Sequence, residues 1–179
     1  MSGERGDHID HIDRIVGQWR RERPELDTAP MEVVARLFRA TALADAALTP
    51  PLAGFGLQPG WSDLLAALRR AGPPYELNPT ELMRATMLSS GGTTKRLDRL
   101  AEAGLVERRP DPADRRGILV RLTRKGKSVI DRAMVAHLAN QERLLAPLDA
   151  DQRRALEDLL RTLLLGLESR GREDGPVAD

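Results

Sequence analysis

The chain has 179 residues, enough for one domain with a sizeable core, and its formal net charge is only +1. Aromatic residues make up 3% of the sequence, so aliphatic side chains must build the core, which suits packed helices better than a β-sandwich. The absence of cysteine excludes disulfides, thiolate catalysis and cysteine-ligated zinc. Since no apolar run resembles a signal peptide or approaches the roughly 18 residues of a membrane span, we expect a cytoplasmic protein.

Three helices are predicted in the N-terminal part of the chain. Apolar residues recur at helical spacing over residues 7–23, and Trp19 belongs to that apolar face. A second helix is predicted from about residue 30 to the Pro-Pro pair at residues 50–51. A third is predicted over residues 61–70, where Ala-Gly-Pro-Pro stops it.

A helix-turn-helix is predicted next. Asn78 and Glu81 have the spacing of a capping box, with a proline at the first helical position between them. After a short break, Ser89 or Ser90 can cap the second helix, which turns two leucines inward until Gly104 ends it.

The segment after Gly104 predicts a β-hairpin. Residues 105–106 and 118–122 have the apolar character of short strands, and the loop between them is rich in turn-forming residues. Arg115 and Arg116 lie on this loop, which we interpret as the wing of a winged helix-turn-helix.

Two long helices are predicted to complete the chain. Thr123 caps the first, which Pro147 closes, and Asp149 with Gln152 starts the second in a capping-box pattern. The second has a broad leucine stripe made of Leu156, Leu159, Leu160, Leu163, Leu164 and Leu167. Since a small winged domain cannot cover such a stripe alone, we predict a homodimer; docking of the stripe within one chain is the alternative.

Positive charge is concentrated around the helix-turn-helix and the wing. Residues 84–127 hold 12 Lys and Arg against 5 Asp and Glu, a surplus of +7 that leaves −6 for the rest of the chain. Binding to nucleic-acid phosphates requires such a concentration, although a basic helix can also be a solvated face. The sequence therefore predicts a dimer that binds double-stranded DNA.

The predicted fold class is mainly α with a small β-hairpin wing, a winged helix-turn-helix with N- and C-terminal dimerisation helices. The predicted division is an N-terminal helical extension at 1–29, dimerisation helices at 30–55 and 123–169, the winged helix-turn-helix at 56–122 and a flexible tail at 170–179.

The segment from Asn78 to Gly126 resembles the MarR (multiple antibiotic resistance regulator) family. The family's motifs occur in order as Leu88-Ser89, Asp98-Arg99-Leu100, Gly104-Leu105-Val106-Glu107-Arg108-Arg109, Asp111 to Arg116, and Leu122-Thr123 followed by Gly126. The resemblance extends over about residues 30–168. It implies a triangular dimer that binds a palindromic operator, usually represses transcription and is typically released by a small ligand.

In such a module the second helix of the pair enters the major groove. Its outward residues are the candidates for DNA contact: Ser90, Gly91, Thr94, Lys95 and Arg99. At the wing, we expect Arg115 or Arg116 to enter the minor groove, held in place by Asp114. The alternatives are glycines that only loosen the first turn of the helix and a surface ion pair of little energetic consequence.

The N-terminal helix with its tryptophan, followed by Glu-Arg-Pro-x-Leu-Asp, resembles the urate-responsive subgroup of this family. By position, the residues implicated there in holding the purine anion correspond to Trp19, Asp63, Arg96 and Arg108. Arg96 departs from the apolar residue usual in the wider family, and either Asp63 or a bound anion is expected to neutralise it. Other aromatic ligands stay open, as do structural roles: Trp19 in the core, an Asp63–Arg96 pair and Arg108 near phosphate.

An enzymatic function finds little support in the sequence. Residues 89–95 lack the spacing of a Walker phosphate loop, no Gly-x-Ser-x-Gly motif is present, and His8 with His11 provides too few ligands for a metal. We therefore predict no catalytic residue, no metal and no cofactor. A ligand-independent architectural DNA-binding protein is the alternative to a regulator, and a preference for a palindrome over random DNA distinguishes the two.

Overall fold

The structure, a computed structural model, describes residues 9–86, 92–114 and 117–173. The chain divides into two compact units, Met1–Ala133 and Met134–Asp179. In chain order the described elements are α1 (His11–Glu22), α2 (Ala29–Leu48), α3 (Pro50–Ala53), α4 (Trp61–Arg70), β1 (Glu76–Leu77), α5 (Pro79–Arg84), α6 (Thr93–Glu102), β2 (Val106–Pro110), β3 (Ile118–Leu122), α7 (Arg124–Leu144) and α8 (Ala150–Glu173).

The core of the first unit is built around α4, which contacts α5 and the strand β3. Most of α4 is buried, and α5, α6, the sheet and the start of α7 add their apolar residues to it. The largest fully buried side chains outside α1 are Leu64, Leu65, Leu68, Leu82, Leu100, Val120 and Ile130. Aliphatic residues therefore build this core, as the composition predicts, and they give the winged helix-turn-helix a rigid support.

Three antiparallel strands form a small sheet in the order β1-β3-β2. The predicted hairpin of β2 and β3 is confirmed, although β2 runs to Pro110 and so is longer than the predicted strand at 105–106. The strand β1 has two residues and is too short to show an alternating pattern in the sequence. Arg108 pairs with the buried Val120 on the inner face of the sheet. Arg121 is paired in register with Glu76 on one side and Glu107 on the other, on the outer face.

Capping sequences predict the starts of α5 and α8 correctly. The amide of Glu81 donates to Asn78 Oδ1 at 2.9 Å, and the amide of Asn78 donates back to the Glu81 carboxylate at 3.1 Å. Asp149 and Gln152 form the same reciprocal pair at the start of α8. The Pro-Pro pair follows the end of α2, as predicted, and itself starts the short helix α3, which the sequence did not predict.

The helix α1 starts later than predicted, because Asp10 and Asp13 form its capping box. Two of the predicted apolar positions are buried, Ile12 and Val16. Trp19 is 43% exposed, which rules out the alternative that it lies in the core. Arg36 of α2 contacts Asp10 at 2.8 Å and Asp13 at 2.5 Å and so fixes α1 on α2. The Asp13 amide and the Arg36 guanidinium hold the pKa of Asp10 below its ordinary value.

The helix α7 starts against the turn that ends α6. The amide of Gly126 donates to the Thr123 hydroxyl at 2.9 Å, which confirms the predicted cap. Gly126 is buried, and a Cβ at this position would lie 1.9 Å from the carbonyl oxygen of Leu105. The close approach of the two backbones therefore requires glycine. The helix ends at Leu144, shortly before Pro147.

In the second unit, none of the α8 side chains that the structure describes is buried. Arg153 joins the start of α8 to the end of α7 through an ion pair with Glu142 at 2.7 Å. The predicted leucine stripe, residues 156–167, is exposed by between 36% and 70%. The helix continues to Glu173, into the segment predicted as a tail.

Candidate nucleic-acid interface

The helix α6 has one buried face and one exposed face. Leu97 and Leu100 are buried, so both predicted inward positions are confirmed. Thr94, Lys95 and Arg99 are exposed, and the two cations are one helical turn apart on the same side of the helix. A polar, cationic surface on a helix with a fixed buried face is suited to the DNA major groove.

The C-terminal end of α6 is held by the start of α7. Lys125 Nζ donates to the carbonyl oxygen of Ala103 at 2.8 Å, and the Thr123 hydroxyl donates to that of Gly104 at 2.8 Å. A cation at this end is also favoured by the helix dipole. Gly104 has φ +67°, the left-handed conformation in which glycine commonly ends a helix, so the predicted end is confirmed.

An ion pair joins α6 to the wing. Arg108 Nη2 of β2 lies 2.6 Å from Asp98 Oδ1, with the two side chains 39% and 47% exposed. The sequence resemblance implies an effector-binding role for Arg108 and gives no such role to Asp98. The pair depends on how the chain turns at Gly104 and returns along α6, which residue spacing alone does not show. The only sequence signal for Asp98 was its place in the Asp98-Arg99-Leu100 motif.

The N-terminal end of α6 differs from the prediction. The helix starts at Thr93, and its N-cap is Gly92 with φ +80° and no side-chain cap. The expectation that Ser89 or Ser90 caps this helix is therefore wrong. Glycine suits the position because it adopts the left-handed conformation without steric cost. Two predicted DNA contacts at this end, Ser90 and Gly91, lie outside the described residues.

The wing loop is closed by backbone hydrogen bonds. The Asp111 amide donates to the Gly117 carbonyl at 3.0 Å, and the Gly117 amide donates to the Asp114 carbonyl at 2.8 Å. A Cβ at position 117 would lie 3.0 Å from the Cβ of Asp111, so the loop is tightly packed there. Asp114 is exposed. Arg115 and Arg116, the predicted minor-groove contacts, lie outside the described residues.

The four residues predicted to hold an effector lie on four different elements. Trp19 is on α1, and the half-buried Asp63 is in the first turn of α4. Arg96 of α6 is half-buried, and its guanidinium folds back to 3.6 Å from the place a Cβ of Gly92 would occupy. Arg108 lies on β2 in the ion pair with α6.

A second ion pair fixes α4 to α7. Arg69 Nε lies 2.7 Å from Asp131 Oδ1, with the two side chains 38% and 42% exposed. Lys127 approaches the same carboxylate at 3.4 Å. Both cations lie over the Tyr75 ring, at 5.0 and 5.6 Å from its centroid. The hydrogen bond from Arg69 is the main reason that the pKa of Asp131 is lowered. In distance and exposure this pair closely matches the pair between α6 and the wing.

Among the described residues, no group of three or more His, Asp or Glu side chains is placed to hold a metal ion. His8, one of the two histidines considered for a metal in the sequence, lies outside those residues. None of the described helices has the length and apolar character needed to span a lipid bilayer.

The helix pair α5 and α6, the hairpin beside it and the exposed cationic face of α6 define a winged helix-turn-helix DNA-binding protein. Residues 55–117 match the MarR family. The chain is 38% identical over 149 residues to the HTH-type transcriptional regulator PecS of Dickeya dadantii, covering 83% of this chain and 90% of that protein. The chain belongs to the MarR family of DNA-binding transcriptional regulators.

Solved structures of this family have the same fold. A mutant of E. coli MarR complexed with operator DNA has a TM-score of 0.65 and 28% identity, covering 82% of this chain and 97% of that chain. BpsR of Bordetella bronchiseptica, whose DNA binding is regulated by 6-hydroxynicotinic acid, has a TM-score of 0.66 and 25% identity, covering 73% and 91%. These relatives are transcriptional regulators and not enzymes, which confirms the expectation from the sequence.

Proposed function

We propose that the protein is a dimeric transcriptional repressor that binds a palindromic operator and is released by a small anionic or aromatic ligand. One observation carries the proposal: α6 exposes Thr94, Lys95 and Arg99 while its opposite face is buried and its C-terminal end is held in place. The similarity to a MarR structure complexed with operator DNA supports it. We expect the protein to act in the cytoplasm, where it meets its DNA.

In this proposal α6 enters the major groove of DNA. Thr94 contacts a thymine methyl group or a base edge, and Lys95 and Arg99 contact phosphates or guanine. Ser90 and Gly91 precede the helix, where a small residue lets the backbone approach the DNA closely. Phosphate contacts give affinity for any duplex, whereas the base-edge contacts give sequence preference.

The wing is proposed to enter the minor groove through Arg115 or Arg116, with Asp114 orienting the guanidinium. Arg116→Ala should weaken operator binding by about 1–3 kcal/mol in a titration at fixed salt. Arg132→Ala, which removes an exposed arginine of α7, is the matched control because it lowers the net charge equally. Equal losses in the two variants would show that affinity follows net charge alone and would contradict the role of the wing.

We propose a dimer because α2 and α8 each expose several large apolar residues. Val33, Val34 and Phe38 are exposed on α2, and the leucine stripe is exposed along α8. Large exposed apolar surfaces on soluble proteins mark interaction sites. A palindromic operator requires two copies of the reading helix, so a second copy of this chain is the partner that the proposal assigns to the dimerisation helices at 30–55 and 123–169.

For the effector we propose an aromatic anion, with urate as the first candidate. Arg96 and Arg108 offer planar donors to such an anion, the exposed Trp19 offers a stacking face, and Asp63 offers an acceptor. Arg108 is paired with Asp98 in the structure, so the proposal requires an anionic ligand to replace or share that carboxylate. Regulation of BpsR by 6-hydroxynicotinic acid is consistent with an aromatic acid as the ligand class.

The effector proposal is tested by the ratio of operator affinities measured with and without ligand. Urate at millimolar concentration should lower operator affinity of the intact protein, and Arg96→Ala should abolish that response. Insensitivity of the intact protein to urate rules out urate. A parallel titration with 6-hydroxynicotinic acid then shows whether the wider class of aromatic anions fails as well.

The regulator proposal is tested by selecting duplexes from a random pool. We expect a palindrome with half-sites about 34 Å apart and bound at least ~10³-fold more tightly than random DNA. A footprint on the DNA that flanks the protein's own gene then locates the natural operator. Little preference among duplexes would instead indicate an architectural DNA-binding protein.

A further inference from the structure

The Asp98–Arg108 ion pair is a polar contact between α6 and the wing. The two elements are adjacent, and Leu97 and Leu100 of α6 turn towards the core. Two leucines fix how deeply the helix lies in the core. They restrict its rotation about its own axis less, because aliphatic side chains make no directional contact.

The Asp98 carboxylate makes a directional contact that limits this rotation of α6, which the leucines do not make. Its Oδ1 accepts from Arg108 at 2.6 Å, and Arg108 is itself fixed in register opposite Val120 in the sheet. Arg99, the next residue on α6, is exposed on the side proposed to face DNA. A rotation of α6 that separated Asp98 from Arg108 would therefore move Arg99 and its neighbour Lys95 relative to the wing.

We propose that Asp98 is a positioning residue for operator recognition, which holds α6 against β2 through Arg108 so that the helix and the wing reach adjacent grooves together. The proposal rests on the proposed operator-binding function. Both side chains of the pair are exposed by more than a third, so water screens the pair and its contribution to overall stability is small. The effect of the pair is on how α6 is oriented relative to the wing when both contact DNA.

Electrostatics alone makes the opposite prediction for this residue. Asp98 is an anion on the helix that approaches DNA, so its removal should strengthen binding to every duplex if only charge matters. A positioning role instead weakens binding to the operator, where geometry matters, without weakening binding to random DNA. The sign of the change on the operator separates the two.

The experiment compares Asp98→Ala, Arg108→Gln, the double variant and the control Asp131→Ala in the full chain. The control breaks a pair of nearly the same length and exposure that joins α4 to α7 and involves neither α6 nor β2. Alanine favours helix over aspartate, so a loss in Asp98→Ala does not come from lower helix propensity. Affinities are measured for the selected palindrome and for a random duplex at one salt concentration.

We expect Asp98→Ala to weaken operator binding by about two- to fivefold, the range of an exposed ion pair, while random-duplex affinity is unchanged or higher. Adding Asp98→Ala to Arg108→Gln should cause no further loss, because the two residues act as one unit. Asp131→Ala should leave the operator-to-random ratio unchanged. A rise in operator affinity, or an equal change on both duplexes, would overturn the proposal.

Hydrogen exchange without DNA provides a second measurement. Amides of α6 should exchange faster in Asp98→Ala while those of α4 do not, since α4 is fixed by its own buried leucines. Unchanged exchange in α6 would also overturn the proposal. If the intact protein prefers no duplex, the operator function fails, and the exchange of α6 still decides whether Asp98 holds the helix.

Discussion

The helices α4 and α8 are both rich in leucine, yet their surroundings are opposite. Leu64, Leu65 and Leu68 of α4 are fully buried, whereas Leu159 of α8 is 70% exposed. The apolar pattern of a helix therefore predicts that one face is to be covered, without showing which surface covers it. For α4 the covering residues belong to its own unit, and for α8 we propose a second copy of the chain.

The largest loss of stability is expected when a buried leucine of α4 is replaced. Leu64→Ala leaves a cavity in the packed core and should lower the free energy of unfolding by about 2–5 kcal/mol. Because the contacts are internal to the unit, the loss should not depend on protein concentration. Urea denaturation at two concentrations well apart checks this, and a loss that disappears at the higher concentration would contradict it.

For a leucine of α8 we expect a somewhat smaller loss of stability, and this loss should depend on protein concentration. Leu159→Ala removes an exposed side chain, so within one chain it should cost almost nothing. If dimerisation buries that side chain, the dimer should lose about 1.5–3 kcal/mol per protomer. Sedimentation over a dilution series measures the dissociation, with Arg154→Ala on the same helix as the exposed control. Identical dissociation of Leu159→Ala and the control would remove Leu159 from the interface.

The same substitution, glycine to alanine, can be compared at a packed position of α7 and at an open position of α8. Gly126→Ala places a Cβ against the Leu105 carbonyl and should destabilise the protein by about 1–3 kcal/mol. Gly166→Ala on α8 meets no atom of its own chain within 4 Å, so within one chain it should be neutral or stabilise by about 0.5–1 kcal/mol, since alanine is the better helix former. Thermal unfolding of both variants measures the difference. Equal effects would mean that the Gly126 contact does not constrain α7.

The smallest effect is expected at the ion pair between α4 and α7. Asp131 has a lowered pKa in the folded protein, so its contribution is complete above the ordinary carboxyl pKa of about 4 and is lost as the pH falls through the lowered value. Asp131→Ala should cost less than about 1 kcal/mol at neutral pH, because the pair is exposed. Below pH 4 the variant and the parent should converge. A gap that widens in acid would contradict this assignment.

Local patterns predicted much of the fold because their causes are local. The reciprocal caps at Asn78–Glu81 and Asp149–Gln152 use residues three positions apart, and both are present. The prediction for the start of α6 was wrong because the N-cap is a left-handed backbone conformation at Gly92, whereas the two serines at 89 and 90 are the residue type that usually caps a helix. The strand β1 was missed because two residues carry no periodicity, and its pairing with β3 is a tertiary contact.

The candidate site was predictable in part. The exposed and buried positions of α6 follow from helical spacing, which placed Thr94, Lys95 and Arg99 outward. Asp98 was not selected, because its partner Arg108 comes close only when the chain reverses at Gly104. The effector residues Trp19 and Asp63 stay a prediction, because no local rule determines which residues of distant elements share a ligand.

The most direct test is the stoichiometry of the complex with the selected duplex, measured by sedimentation at a concentration near the dissociation constant. We predict two chains on each palindromic duplex, and no complex of that mass on a duplex whose half-sites are scrambled. One chain per duplex, or equal binding to the scrambled duplex, would contradict operator recognition by a pair of chains.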